Sequence, residues 1–231
     1  MDLSFLKVTQ PSEETFKVIA EKLFFDCALE VNGSKRWVFT ELEFYYSRND
    51  HKDPFVHTDK VQTQFAKWYF HGSGLDLTIG SSAENDSEPV YGGILIRGIR
   101  QVFGSKIFIS GPLNSLKEIF SAMDSVDKPN SICLVQSEEG KRLSNETSKA
   151  ASRGIRILAS ARVGLNENKE RSKENEEKEG VAFFKRNYRF LSHLEGGHPF
   201  QEKEKVAKRN RTLFENDPDL AKEVFGYRIK F

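Results

Sequence analysis

Cysteine is scarce in this sequence, which contains only Cys27 and Cys133 among its 231 residues. Both lie within apolar stretches, so we expect two buried thiols in a reducing compartment rather than a disulfide framework. No pair of cysteine or histidine residues has the spacing that zinc ligands require. The sequence therefore gives no support to a disulfide-stabilised secreted protein or to a structural zinc site.

Long hydrophobic runs are also missing. No stretch of about 18 apolar residues occurs, so we expect no membrane-spanning helix. The first residues, MDLSFLKVTQPSEE, do not combine a basic segment with an apolar one, and no secretory signal is expected. With 38% hydrophobic and 30% charged residues, the chain is expected to be a globular, cytoplasmic protein.

The common catalytic loops are absent as well. The sequence has no glycine-rich loop of the P-loop or dinucleotide type, and no serine elbow or recognisable Cys/His pair. Any catalysis would therefore depend on carboxylates and, after them, on histidine. The net charge of +1 does not identify a partner, because a near-neutral total can hide a basic face.

One helix has a clear sequence signal near the start of the chain. Ser12 is a suitable N-cap, and Glu13 and Glu14 occupy the first turn, where the helix dipole favours acidic side chains. Apolar residues then recur at helical spacing from Phe16 to Phe24, which predicts an amphipathic helix with one buried face.

The segment from Arg36 to Tyr46 alternates in the manner of a β-strand. One face carries three aromatic residues and two glutamates: Trp37, Phe39, Glu41, Glu43 and Tyr45. If this face is buried, two carboxylates point inward, which is costly unless they have a purpose. If it faces solvent, the glutamates are ordinary surface residues.

The length of the chain suits one domain, or one domain with an appended tail. Residues 166–179 read NENKERSKENEEKE and predict a mobile loop or a solvated helix, because they contain no apolar side chain. We therefore predict a domain over residues 1–191, with a charged loop at 166–180, and a C-terminal helical extension over residues 192–231 that packs on the body.

Four segments with chemically notable residues follow one another: ELEFY at 41–45, DPFVH at 53–57, KWYFHG at 67–72 and GGILIRGI at 92–99. They resemble the alkyladenine (3-methyladenine) DNA glycosylase family, whose members carry E-[TV]-E-A-Y, D-P-A-A-H, Y-x-Y-x-x-Y-G and V-L-[IL]-R-A in this order. The family's preceding helix is similar to residues 18–29, and its closing strands are similar to residues 156–165 and 188–190. The resemblance therefore extends over about residues 17–190.

This resemblance implies an α+β fold (mixed α/β), a single domain in which helices flank a curved, mainly antiparallel β-sheet. It implies that Glu43 is the general base and that Arg97 lies beside the catalytic water. The rings that stack on the extruded base in the family match Tyr45, His57 and Trp68.

The family's wedge, which fills the gap left in the DNA stack, corresponds to His71. An enzyme that cleaves a base from a duplex must first flip it out, and aromatic rings hold the flipped base. An alkylated purine is cationic, so cation–π attraction adds to the stacking. A carboxylate-activated water then hydrolyses the glycosidic bond, with no metal or cofactor. The implied partner is double-stranded DNA containing alkylated bases, with no obligate protein partner and no membrane.

The residue types alone also fit structural roles: a surface position for Glu43, core packing for Tyr45 and Trp68, a loop position for His57, a buried ion pair for Arg97 and a plain turn for His71. The sequence departs from the family in lacking its T-P-R-N-x-x-M-F segment, and in carrying Asp76 near a position that is often asparagine. Three functions stay open: a monofunctional glycosylase, a non-catalytic nucleic-acid or nucleotide binding module, and a small-molecule enzyme such as a nucleoside hydrolase.

Overall fold

A ten-stranded sheet organises the chain. The computed structural model describes residues 1–82, 88–103, 107–147, 157–166, 168, 182–194 and 199–229. Its strands are β1 (Cys27–Val31), β2 (Lys35–Arg48), β3 (His51–Lys52), β4 (Phe65–His71), β5 (Gly74–Ile79), β6 (Tyr91–Gln101), β7 (Phe108–Ser110), β8 (Ile132–Gln136), β9 (Leu158–Ser160) and β10 (Arg189–Leu191). Its helices are α1 (Glu13–Asp26), α2 (Pro112–Ser121), α3 (Glu139–Thr147), α4 (Lys203–Arg209), α5 (Arg211–Asn216) and α6 (Pro218–Phe225). Short 3-10 segments span Ser4–Leu6, Lys60–Thr63 and Phe183–Lys185.

The strands lie in the order β4, β5, β6, β2, β1 and β8, with β10 paired to β2 and β9, β3 paired to β2, and β7 paired to β6. Every pairing among the described strands is antiparallel. The sheet curves into a half-barrel, and the predicted α+β class with a curved, mainly antiparallel sheet is confirmed. The central strand, β2, extends slightly beyond both ends of the predicted strand at 36–46.

Helix α1 begins at the predicted cap and covers one face of the sheet. The Ser12 side chain accepts a hydrogen bond from Thr15 N at 3.1 Å, which satisfies a backbone donor that would otherwise lack a partner. Phe16 of α1 stacks on Phe44 of β2, with ring centroids 4.9 Å apart. Because side chains alternate along a strand, Glu43 and Tyr45 lie on the opposite face of the sheet.

The C-terminal helices pack on the sheet through an apolar cluster of their own. Leu158 of β9 and Leu191 of β10 belong to this cluster, together with residues of the extension: Leu194, Phe200, Val206, Ala207, Phe214, Leu220, Ala221, Val224 and Phe225. The helical tail predicted from the sequence is thus present. The predicted charged loop at 166–180 lies outside the described residues except for 166 and 168.

Neither cysteine forms a disulfide, but the two differ in exposure. Cys27 is buried as expected, whereas the expectation of a buried Cys133 is wrong. Cys133 lies on β8, which pairs with β1 at the end of the sheet and is exposed there. No described helix has the length and apolar character needed to span a bilayer.

We predict that the protein loses stability as the pH falls from about 6.5 towards about 4, because burial lowers the pKa of His51 and of His193 to about 4. Unfolding restores their ordinary value of 6.5, so in this window the unfolded chain binds more protons and acid favours unfolding. The His193→Asn variant removes one of the two groups and should flatten the pH dependence of the free energy of unfolding, measured by urea denaturation. Asparagine is chosen because His193 has φ 55°, which asparagine tolerates. Parallel curves for variant and wild type would contradict the prediction.

Candidate functional site

A cavity of about 390 Å³ opens on the sheet face that carries Tyr45. Its size lies within the range of about 300–1,000 Å³ that is typical of small-molecule sites. The residues that line it come from several strands, from α2 and from the loops that follow β3 and β9: Tyr45, Phe55, His57, Gln62, His71, Ser73, Asp76, Leu95, Arg97, Pro112, Val163, Gly164 and Leu165. Of the six residues proposed from the sequence, Tyr45, His57, His71 and Arg97 therefore share one cavity.

Glu43 lies directly behind this wall and is fully buried. Its Oε2 accepts a hydrogen bond from the Tyr45 hydroxyl at 2.9 Å, and its Oε1 accepts one from Val163 N at 2.6 Å. Arg97 Nε is 3.4 Å from the same Oε1. Three residues that line the cavity thus contact one carboxylate, which itself has no exposed surface.

Arginines from two neighbouring strands balance the two glutamates of β2. Arg97 of β6 and Arg189 of β10 each donate from Nε to Glu41 Oε1 at 2.8 Å. All four side chains are buried, and the group is formally neutral with two acids and two bases. The sequence left open whether the face of β2 that carries Glu41 and Glu43 is buried or exposed. Both acids are buried, and the two arginines compensate their charges, as buried charges require.

Burial raises the pKa of the Glu43 carboxyl, although Arg97, Arg189 and the Val163 N–H act in the opposite direction. Burial and the adjacent Glu43 carboxylate also raise the pKa of the Tyr45 hydroxyl well above its ordinary value, so the phenol stays protonated and donates to Glu43. A buried acid with a perturbed pKa beside a cavity is a feature of functional sites, although structural ion pairs can produce it too.

A second buried ion pair supports the wall from behind. Arg162 donates from Nη1 to Asp53 Oδ2 at 2.5 Å and from Nη2 to Asp53 Oδ1 at 3.1 Å. The Arg162 guanidinium lies 4.5 Å from the centroid of the Tyr45 ring, within cation–π range. It also donates to the Phe44 carbonyl at 3.0 Å. This pair joins the loop after β3 to the loop after β9 and holds one side of the Tyr45 ring.

Three rings from the loop after β3 and from β4 pack against one another at the site, and two of them, His57 and His71, line the cavity. The ring centroids of His57 and His71 are 4.7 Å apart, and those of Tyr69 and His71 are 4.9 Å apart in a stacked arrangement. Ser73 N donates to His71 Nδ1 at 3.3 Å, so the imidazole proton is on Nε2, which lies 3.0 Å from Asp76 Oδ1. Both ring nitrogens are therefore engaged, and the imidazole can offer only its face or edge to a ligand.

The predicted wedge role does not fit the position of His71. Its side chain is only 9% exposed and lies in the cavity wall, tied to Asp76. A wedge must project beyond the surface in order to enter a base stack. The buried Asp76 draws the imidazole inward, and the sequence could not reveal this contact from the Gly-flanked turn alone.

Trp68 does not line the cavity, contrary to the role that the resemblance implies. Its Nε1 donates to the Ile132 carbonyl of β8 at 2.9 Å, and the side chain packs against the main core. The neighbouring Tyr69 joins the His57–His71 rings instead. The pairing of β4 with β5 is irregular between Phe65 and Trp68, where Ala66 has φ 56°, so simple alternation does not fix which face each ring occupies.

Asp76 and Gln62 provide buried polar groups in the wall, with exposed fractions of 3% and 1%. Gly93 of β6 makes room for them: a Cβ at that position would lie 2.5 Å from Asp76 Oδ2 and 3.2 Å from Gln62 Nε2. Any other residue at position 93 would displace the acid. The sequence gave Gln62 no role, because its contact with the wall joins segments that are distant along the chain.

The described residues contain no group of three or more histidine, cysteine, aspartate or glutamate side chains that could hold a metal ion. The groups that the structure places at the cavity include aromatic and histidine rings, Arg97, the buried Asp76 and Gln62, Ser73 and the Tyr45–Glu43 pair.

No protein-family model matches the chain. The chain is similar to the uncharacterized protein L759 of Acanthamoeba polyphaga mimivirus, with 28% identity over 179 residues. The similar region covers 68% of this chain and 81% of the viral protein.

We predict that Asp53→Asn destabilises the fold by about 3–5 kcal/mol, because it leaves the buried Arg162 charge without compensation. Glu215→Gln is the control, since it removes one partner of the solvent-exposed Arg211–Glu215 pair and should cost less than about 1 kcal/mol. Urea denaturation of the two variants and the wild type measures both effects. An Asp53→Asn protein as stable as the control variant would contradict the structural role of the pair.

Proposed function

We propose that the cavity receives a nucleobase extruded from double-stranded DNA and that the protein is a monofunctional glycosylase that excises alkylated purines. The observation that carries the proposal is the convergence of Tyr45, His57, His71 and Arg97 on one cavity, with the buried Glu43 carboxylate directly behind it. Such a protein would work where the DNA is, in the cytoplasm at the nucleoid.

The walls of the cavity suit a flat, cationic ring. Aromatic side chains stack on any base with about 1–3 kcal/mol each, and their faces attract a positive charge. Asp76, with Oδ1 bonded to His71, adds a negative charge at the same wall. An alkylated purine carries a positive charge that its unmodified counterpart lacks, so this wall favours the damaged base.

The proposed reaction is a hydrolysis. Water attacks C1′ of the sugar, the bond from C1′ to the base nitrogen breaks, and the departing base takes the bonding electron pair. The proton released by the water ends on Glu43. Because Glu43 has no exposed surface and its Oε2 is bonded to the Tyr45 hydroxyl, we route this proton through that hydroxyl: the phenol passes its own proton to Glu43 and receives one from the water. Arg97 orients the water and stabilises the negative charge that develops on it.

A non-catalytic base-binding protein is the second candidate. The complete burial of Glu43 favours it, since both carboxylate oxygens already accept hydrogen bonds within the protein. In that case the Glu43 network would be structural, and the cavity would hold a base without releasing it. Binding and excision must therefore be measured separately.

We predict that Glu43→Gln abolishes the release of 3-methyladenine from methylated duplex DNA, because an amide cannot accept the proton. Tyr45→Phe should lower the single-turnover rate by at least about 100-fold, as expected when a proton-transfer group is lost. The phenylalanine ring still stacks, so this variant should keep its affinity for a duplex that carries an uncleavable analogue. Melting temperatures control for folding.

Excision by Glu43→Gln at the wild-type rate would refute the role of this carboxylate. Tight binding of the analogue by a wild-type protein that releases no base would instead select the non-catalytic alternative.

The pH dependence of excision gives a further prediction. The reaction needs ionised Glu43, so the rate should fall as the pH decreases through the pKa of this carboxyl. Since burial raises that pKa above its ordinary value of 4.5, the acid limb of the single-turnover profile should lie above pH 4.5. A rate that stays constant down to pH 4.5, with the fold intact by circular dichroism, would contradict the prediction.

A further inference from the structure

Gln201, from the C-terminal extension, contacts both arginines of the buried charge group. Its side-chain Oε1 accepts a hydrogen bond from Arg97 Nη2 at 2.7 Å. Its backbone carbonyl accepts one from Arg189 Nη2 at 2.8 Å. One residue of the extension therefore bridges the two guanidiniums that share Glu41, although it lies 104 positions from Arg97 in the sequence.

Two of the three guanidinium nitrogens of Arg97 contact neighbouring side chains. Nε points to Glu41 at 2.8 Å and to Glu43 at 3.4 Å, and Nη2 points to Gln201. No hydrogen bond joins Nη1 to any of the described residues, while Arg97 lines the cavity. The planar guanidinium is held at Nε and Nη2, and these two contacts determine where Nη1 points.

The neighbours of Gln201 hold it in place. Phe200 is buried in the apolar cluster of the extension, and Glu202 adopts the left-handed conformation with φ 52° immediately before α4. A non-glycine residue keeps this conformation only when its surroundings enforce it. Docking of the extension on β9 and β10 therefore determines where the Gln201 amide lies.

We propose that Gln201 is a positioning residue for Arg97, so that the C-terminal extension completes the cavity. An amide suits this place because it accepts a hydrogen bond without adding charge to a group that is already neutral. The proposal rests on the proposed function for its activity readout, but the contact with Arg97 can be tested without it.

The first test compares single-turnover excision of 3-methyladenine by the full-length wild type and by two variants. Gln201→Met keeps the length of the side chain and removes the acceptor, and Asn210→Ala removes a hydrogen bond from the same extension to the Ala159 carbonyl. We expect Gln201→Met to lower the rate about tenfold, the loss typical of a hydrogen bond to a charged group. Asn210→Ala should stay within about threefold of wild type, and affinity for undamaged duplex should not change.

A double variant shows whether the effect passes through Arg97. With Arg97→Lys already in place, Gln201→Met should cause less than about a twofold further loss, because the two changes remove the same interaction. A wild-type rate for Gln201→Met, or a full further tenfold loss in the Arg97→Lys background, would overturn the proposal.

A second readout does not require activity. In ¹⁵N-labelled protein, the Arg97 side-chain resonances, identified by their loss in Arg97→Lys, should shift in Gln201→Met and stay in place in Asn210→Ala. If the wild type releases no base, the proposed function fails, and this spectrum alone decides the role of Gln201. Unchanged Arg97 resonances in Gln201→Met would reject the positioning contact.

Discussion

Charge buried at the centre of the sheet must be compensated, and this requirement governs how the surrounding strands and loops are arranged. Glu41 and Glu43 of β2 lie between Arg97 of β6 and Arg189 of β10, and none of the four could be buried without the others. The pairing of β2 with β6 is irregular on both sides of Glu41, so the group depends on a defined local register, because a further shift by one residue would turn an acid to the other face of the sheet. The cavity is built directly on this group, since Tyr45 and Arg97 belong to both its wall and the charge network.

The loops that complete the cavity are attached to the sheet by further balanced polar contacts. The Asp53–Arg162 pair connects two loops beneath the Tyr45 ring, and the Val163 N–H that follows it bonds to Glu43. Gln201 joins the C-terminal extension to Arg97. Segments that are distant in sequence therefore meet at Glu43 and Arg97. These contacts hold the walls of the cavity in place.

The sequence predicted what is encoded locally. Residue spacing indicated the cap of α1, the long central strand, the acids among aromatic residues and the arginine within an apolar strand. The order of these segments along the chain is what resembles the glycosylases. Residue spacing could not predict contacts between distant segments, so Arg162, Gln62 and Gln201 were given no role at the site. The positions of Trp68 outside the cavity and of His71 in its wall were not predictable for a related reason: an irregular strand start and a buried aspartate decide which way these side chains point.

The proposed function places an extruded base in this cavity, with its sugar near the Arg97–Tyr45–Glu43 group. The most direct measurement is a crystal structure of the protein bound to a duplex that contains one stable, uncleavable analogue of an alkylated purine nucleotide. We expect the analogue to lie out of the stack, with its ring against Tyr45 and the His57–His71 pair and its C1′ atom facing Arg97. A complex in which the base stays paired in the duplex, or in which DNA contacts a different face of the protein, would contradict it.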